Sequence, residues 1–440
     1  MLPSALTPTA GAAEAGVNLS ALAPGSVAQA SQLGVHWVRV FAPWSFLEPK
    51  QGVRESNWLW TYEQMFNELP KGTHVIIDVV GTPSWESGSS AGNAPPRNAA
   101  DYASLLHFLA LRWAGRVTAY EVWNEEDSSQ WWANPEPAAY TRLLQAAYPA
   151  VKSADPHAEV VLGGLTGNDY NFLEGVYQAG GKGYFDAVGV HTDTACSVNS
   201  PYSFLRNPDG RIEPDSFLGY REVHATELAN GDDKPIWMTE ASWRTTAATC
   251  FEGAWAGQKP EGVSEEQQAT YLQQAYHCLA ETPYVQVALW FPLVDEGVVT
   301  SGLLRADLSE KPAYAAMQAY LEHGDQLSGT CADFAGPKIT VQSPSNNQRY
   351  AGRLKIKAVA SDPAGIDRVR LFYEGHLVRN WEPYYLTHRY PLRTVAEMHW
   401  LGAMKLSTGR HVLTVVAIDK MGNSSTARLV VVHLRERHHH

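Results

Sequence analysis

Two glutamates stand where a proton could be handed over and a carbon attacked. Glu125 lies in Tyr120-Glu121-Val122-Trp123-Asn124-Glu125-Glu126-Asp127, just after the apolar run Val117-Thr118-Ala119. Glu240 closes Ile236-Trp237-Met238-Thr239-Glu240. Each stretch reads as a short apolar strand ending in a carboxylate, and Asn124 sets a hydrogen-bonding amide beside the first. Hydrolysis of a glycosidic bond uses such a pair. One carboxyl group is protonated and serves the leaving oxygen; the other is ionised and attacks or activates water. The two lie about 5–5.5 Å apart in retaining enzymes and about 6.5–9.5 Å apart in inverting ones. Glu has an ordinary pKa near 4.3, so the acid must be held up by burial or by a neighbouring negative charge.

The two carboxylates are 240 − 125 = 115 residues apart, so the fold must return distant strands to one mouth. Apolar strands alternate with helical runs from Gly16 to about Glu322. The strands are Val17–Leu19, His36–Phe41, Thr73–Val80, the Asn-Glu strand, Glu159–Leu162, Phe185–His191, Pro235–Glu240 and Val285–Phe291. Helices are expected at Ser26–Leu33, Trp58–Leu69, Tyr102–Trp113, Pro137–Ala154, Asn171–Ala179, Phe217–Ala229, Glu265–Ala280 and Pro312–Leu321. The third strand is rich in Val and Ile, as a strand buried on both faces should be. Eight such units predict an α/β fold, a (β/α)8 TIM barrel over 16–325 with its catalytic face at the carboxyl ends of the strands. The alternative is an open doubly wound sheet, in which the first and eighth strands would lie apart rather than paired.

Gly, Ser, Asp and Pro dominate Gly324 to Pro337, and a linker is read at 326–337. Over 338–435 the pattern is short alternating strands broken by turns such as Asp362-Pro363 and Met421-Gly422-Asn423, which predicts a small all-β immunoglobulin-like sandwich. Ala417-Ile418-Asp419-Lys420-Met421-Gly422-Asn423 resembles the closing hairpin of bacterial immunoglobulin-like modules.

The 440 residues are 45% hydrophobic and 18% charged, with a net charge of −12. That balance argues against nucleic acid or an anionic membrane surface as a partner. No apolar run approaches the ~20 residues of a membrane helix. Trp and Tyr are abundant, at 15 and 20, and flat aromatic rings serve both as core and as sugar platforms. Met1 to Ala15 reads as a stub left after signal-peptide removal, and the terminal histidines as part of a tag; an extracellular, bacterial location is the expectation. Four cysteines fit two disulfides. Of three pairings, Cys196 with Cys250 and Cys278 with Cys331 would each join neighbouring elements; four buried thiols are the alternative.

The order of motifs along the strands resembles the clan of retaining glycoside hydrolases built on this barrel, and in detail family 39. The likeness rests on Val38-Arg39-Val40 with Trp44 and Glu48-Pro49, on Thr82-Pro83-Ser84-Trp85, on Trp123-Asn124-Glu125 and on Thr239-Glu240. It covers roughly Gly16 to Glu322. The resemblance implies Glu125 as general acid/base, Glu240 as nucleophile, and a carbohydrate substrate. It implies that Asn124 bonds the sugar 2-hydroxyl and that Arg39 sits beneath the nucleophile and keeps it ionised. It places His191 beside the acid/base or a hydroxyl, and Trp290 as the sugar platform. Trp85 and Trp243, in the expected mouth loops, are further candidates for sugar contact. Strand six reads His191-Thr192-Asp193 where such enzymes often have His-x-Tyr.

Each residue also has a plainer reading. Taken alone, Glu125 could be a carboxylate at a helix N-terminus, Arg39 a structural ion-pair partner, and His191 a satisfied core histidine. Glu126 and Asp127 read as loop solvation or helix entry. Trp85, Trp131, Trp132 and Trp243 could simply pack loops, and Trp381, Tyr384, Tyr385 and Tyr390 could dock the sandwich on the barrel. A catalytically inactive sugar-binding barrel is the rival reading of the whole. No cofactor is expected. A metal-dependent barrel is disfavoured because Val17-Asn18-Leu19 lacks His-x-His, and no Gly-x-Ser-x-Gly elbow appears.

Overall fold

The computed structural model describes residues 13–19, 25–193, 199–246, 248–249, 257, 260–382, 395–402 and 407–435. Eight parallel strands close in chain order into a barrel. They are β1 (Glu14–Leu19), β2 (Trp37–Pro43), β3 (His74–Val80), β4 (Ala119–Asn124), β5 (Glu159–Leu165), β6 (Ala187–Asp193), β7 (Ile236–Ser242) and β8 (Val285–Trp290). Gly16 pairs with both Trp37 and Leu289, so β1 joins β2 and β8 and the open-sheet alternative is excluded.

The barrel interior is a plug of side chains, one or two per strand on seven of the eight. Trp37, Ile76, Ala119, Val161, Ala187, Trp237, Val287 and Leu289 form one buried cluster. Trp37 meets Trp237 edge-on at 5.1 Å. On β1 the matching position is Gly16, where a Cβ would lie 2.4 Å from the Trp37 carbonyl oxygen and 2.5 Å from Leu289 Cδ2; the neighbouring strands leave no space for a side chain there.

The outer helices are amphipathic and capped as their sequences dictate. Asn98 accepts from the Ala100 N–H at the start of Ala99–Arg112, and Ser264 with Gln267 closes a capping box on Glu265–Ala280. Four helices also reach the barrel by a tyrosine hydroxyl. Tyr62 donates to the Phe41 carbonyl, Tyr102 to Val79, Tyr140 to Val122 and Tyr276 to Ala288, at 2.6–2.9 Å. These carbonyls lie near the carboxyl ends of β2, β3, β4 and β8. Buried backbone acceptors need partners, and the tyrosines supply them just below the mouth. Cys278 is disulfide-bonded to Cys331, as expected; Cys196 and Cys250 lie outside the described residues.

The second compact unit comprises Leu205–Arg211 and the chain from Ala332 on, so the boundary falls at Cys331/Ala332. Its strands are β9 (Lys338–Ser343), β10 (Gln348–Tyr350), β11 (Leu354–Ser361), β12 (Ile366–Tyr373), β13 (His376–Trp381), β14 (Val395–Gly402), β15 (Gly409–Asp419) and β16 (Ser424–His433). One sheet has the order β10-β16-β15-β12-β13 and the other β14-β11-β9. Alternating residues such as Leu354, Ile356, Ala358, Leu413, Val415 and Ala417 turn inward to its core. Tyr384, Tyr385 and Tyr390 lie outside the described residues.

Candidate active site

Arg39, on β2, is the hub of the barrel mouth and is fully buried. Its Nη1 donates to Glu240 Oε1 at 2.6 Å and to Asn18 Oδ1 at 3.0 Å. Nη2 donates to Asp78 Oδ2 at 2.8 Å and to Asn124 Oδ1 at 2.9 Å. Nε is bonded to Glu121 Oε2. One guanidinium thus ties together the ends of β1, β2, β3, β4 and β7. A buried charge is tolerated only when paired and hydrogen-bonded, and here every N–H that points inward has an acceptor.

Strict strand alternation would not allow this set. Glu121 and Asn124 are an odd number of residues apart and should face opposite sides of β4, yet both bond Arg39. Trp123 has φ 73° and Glu125 φ 49°. These left-handed residues, uncommon for large side chains, reset the strand's direction at its end. They bury the Trp123 indole, whose Nε1 donates to the Trp131 carbonyl at 3.2 Å, and turn Asn124 inward. At β7 the break is a register shift between Met238 and Ala241 against β8. Thr239 bonds Glu121 Oε1 at 2.7 Å while its neighbour Glu240 bonds Arg39, so two consecutive side chains reach the interior. Such irregularities often re-aim side chains at functional sites.

The site's second bridge is His191, buried at the end of β6. Its Nδ1 lies 2.9 Å from Glu125 Oε1 and its Nε2 3.6 Å from Glu240 Oε1. One carboxylate oxygen from each glutamate and one His191 nitrogen all fall within 4.8 Å of one another. The ring has room because β5 carries glycine opposite: a Cβ at Gly164 would sit 1.9 Å from His191 Nε2.

Burial pushes the Glu240 carboxyl above its ordinary range; His191 and Arg39 pull it back, and Glu125 pushes it up. Asp78 is pushed well up, first by burial, against the pull of Arg39, with Glu121, Glu240 and Glu125 adding to the rise. Burial is the larger cause, and one cation shared by several acids does not offset it. Glu125, His191 and Glu240 have the spacing of a metal site, but Glu240 Oε1 already holds a cation, Arg39.

The structure brings Glu125, Glu240, Asn124, Arg39 and His191 together. It does not bring the tryptophans to them as open platforms. Trp290 and Trp243 are each 1% exposed. Trp290 donates to the Ser301 carbonyl at 2.7 Å and Trp243 to that of Asn199 at 3.1 Å, and their rings pack on each other 6.1 Å apart. Trp85 is half-buried, bonded to the Glu48 carbonyl at 2.8 Å and set edge-on to Trp44. Glu126 is fully buried rather than solvated, and burial raises its carboxyl well above the ordinary range. Asp127 accepts from the N–H and hydroxyl of Thr166. Asp78, Glu121 and Asn18 belong to the Arg39 network and were not singled out from sequence. For Asp78 and Glu121 the signal is a charge in the middle of strands buried on both faces, in His74-Val75-Ile76-Ile77-Asp78-Val79-Val80 and Ala119-Tyr120-Glu121-Val122.

Residues 337–415 match the family model described as Bacterial Ig domain. The long isoform of ulvan lyase from Alteromonas sp. (strain LOR) is 29% identical over 157 residues, 32% of this chain and 15% of that protein. The match therefore spans a small part of that relative. Among solved structures, a family 39 glycoside hydrolase from Bacteroides cellulosilyticus WH2 is similar over 90% of this chain and 81% of its own, with TM-score 0.58 and 19% identity. A family 39 β-xylosidase from Caulobacter crescentus is similar over 84% of each chain, with TM-score 0.54 and 18% identity. A family 39 enzyme from Xanthomonas axonopodis pv. citri covers 89% of this chain and 92% of its own, with TM-score 0.54 and 15% identity. These likenesses show the fold.

Proposed function

We propose that this protein is a retaining glycoside hydrolase of family 39 type, acting outside the cell on a poly- or oligosaccharide. The observation that carries the reading is the approach of Glu125 and Glu240 oxygens to within 4.8 Å. That separation suits a carboxylate attacking the sugar directly; an inverting pair must leave about 6.5–9.5 Å for a water. The absence, among the described residues, of any helix long and apolar enough to cross a membrane is compatible with the location.

Roles follow from the contacts. Glu240 is the nucleophile, because the Arg39 cation bonded to its Oε1 stabilises the charge it must carry. Glu125 is the acid/base, because it is the more exposed of the two, with 16% of its side chain open against 6%, and so can exchange protons with the incoming water. In the first step Glu240 attacks the anomeric carbon while Glu125 gives its proton to the leaving oxygen, forming a glycosyl ester. In the second, Glu125 takes a proton from water, which displaces Glu240. His191 holds Glu125 Oε1 across this cycle. Asn124, fixed through its Oδ1 by Arg39, keeps its amide N–H groups for a sugar hydroxyl.

The test is Glu240→Gln, assayed on a panel of 4-nitrophenyl glycosides and polysaccharides with the anomeric configuration of first-formed products read by NMR. Wild type should release product of retained configuration, and the variant should lose at least ~10³-fold in kcat, the scale of removing a covalent nucleophile. Inverted product, or unaltered turnover in the variant, would refute the reading.

A further inference from the structure

An apolar pocket of about 200 Å³ opens at the carboxyl ends of β1, β2 and β8. Its walls include Leu19, Val40, Phe41, Phe46, Trp58 and Phe291. It adjoins the catalytic network through two shared residues. Asn18 lines the pocket and bonds Arg39, which bonds Glu240. Phe41 lines it too, and the Arg39 guanidinium lies 4.7 Å from the centre of its ring. An apolar cavity of about 150 Å³ is enough to take benzene, so the pocket accommodates a group of ring size.

The two polar side chains inside it, Asn18 and Tyr62, are already committed. Asn18 donates to the Thr239 carbonyl at 2.8 Å and accepts from Arg39, and the Tyr62 hydroxyl donates to the Phe41 carbonyl. Glu296 stands on the exposed rim, in a tight turn whose backbone pairs it with Val299. A sugar ring placed inside would leave hydroxyl groups without partners, at a cost. Away from Glu296 the rim is apolar: Phe46, 47% exposed, stacks on Trp58 at 5.0 Å.

The pocket's place in the barrel says which part of a substrate reaches it. With eight strands closed in order, β8 stands across the mouth from β4. Glu125 follows β4, and the group that departs with its proton lies on that side. What reaches the β8–β1–β2 wall belongs to the sugar retained on Glu240. We propose that this pocket selects a retained sugar bearing an apolar substituent, an acyl ester or a deoxygenated methyl edge. The inference rests on the hydrolase reading for its catalytic side, and the two can fail separately.

Two measurements on the full chain test it. The first needs no turnover: benzyl alcohol is titrated into wild type, Val299→Trp and Phe46→Ala, and binding is followed by ligand-detected NMR. Val299→Trp fills the pocket from a partly exposed loop wall; Phe46→Ala removes part of the rim. Saturable binding to wild type, at least tenfold weaker in Val299→Trp and about threefold weaker in Phe46→Ala, is expected. No binding to wild type, or equal binding to all three, overturns the pocket. The second compares kcat/KM for paired 4-nitrophenyl glycosides of one sugar, one plain and one carrying an O-butanoyl ester on the ring. Preference for the ester should be about tenfold or more, the scale of small apolar differences in a pocket, and should collapse towards unity in Val299→Trp. A ratio of one in wild type overturns the proposal. Should no glycoside be hydrolysed while benzyl alcohol binds as expected, the hydrolase reading fails, and the pocket stands on the first measurement.

Discussion

Gly164→Ala probes the site without touching any carboxylate. A Cβ there would lie 1.9 Å from His191 Nε2, 2.2 Å from Cδ2 and 2.6 Å from Cε1, where ordinary contact begins at 3.4 Å. The imidazole would have to retreat by 3.4 − 1.9 = 1.5 Å. His191 is fully buried, so the retreat cannot be a swing into solvent and must disturb the 2.9 Å contact of its Nδ1 with Glu125. A misplacement of about 1 Å in catalytic geometry costs on the order of 10²-fold, equivalent to about 2.7 kcal/mol of transition-state stabilisation. The loss should depend on the leaving group. If His191 acts by holding the acid, an alkyl glycoside that needs its proton should lose the full factor. A 2,4-dinitrophenyl glycoside, which leaves as a stable anion, should lose far less. The assay is kcat/KM for both substrates with folded fraction checked by circular dichroism. Equal losses for the two substrates, or no loss in a folded variant, would refute the role given to His191.

Two further outcomes follow from buried charge and from the crosslink. The Asp78 carboxyl is pushed well above its unfolded value, chiefly by burial, so the folded state keeps a proton that the unfolded state releases. Stability is therefore lost as pH rises from about 4 towards the folded pKa. Asp78→Asn should raise the urea midpoint at pH 8 but not at pH 3.5, and a midpoint difference independent of pH would contradict this account. The Cys278–Cys331 disulfide closes a loop of 53 residues; chain entropy gives it about 4 kcal/mol, so Cys331→Ala should lower unfolding free energy by roughly that amount in urea titrations, and a change under 1 kcal/mol would show that the unfolded chain is already constrained there.

The barrel was legible in the sequence because its strands are largely apolar runs of six or seven residues separated by helices of regular period. Each expected strand lies within a few residues of the observed one. The one-turn helices Trp44–Leu47 and Ser84–Ser87 carry too few residues to show a period. In the sandwich, β10 has only three residues, and the outward-facing β13 shows no alternation of buried and exposed positions. Glu125 and Glu240 were visible because each ends an apolar strand. The partners of Arg39 were less so. Glu121 and Asn124 share a face only because Trp123 takes a left-handed conformation, which its side chain does not announce. The tryptophans misled for a related reason. A strand-end aromatic can turn to the cleft or to the loops above it, and Trp290 is held by a carbonyl eleven residues further on.

The guanidinium at position 39 also bears on how the cylinder assembles. Its acceptors come from strands on either side of the β8–β1 seam, Glu240 from β7 and Asn18 from β1. Until that seam shuts, Arg39 keeps Asp78 and Glu121 from the strands beside it, while Glu240 would lie in an apolar interior without its cation. Closure of the ring and readiness for chemistry are therefore one event, and a chain arrested with its last strands undocked would hold neither a sealed wall nor a charged nucleophile.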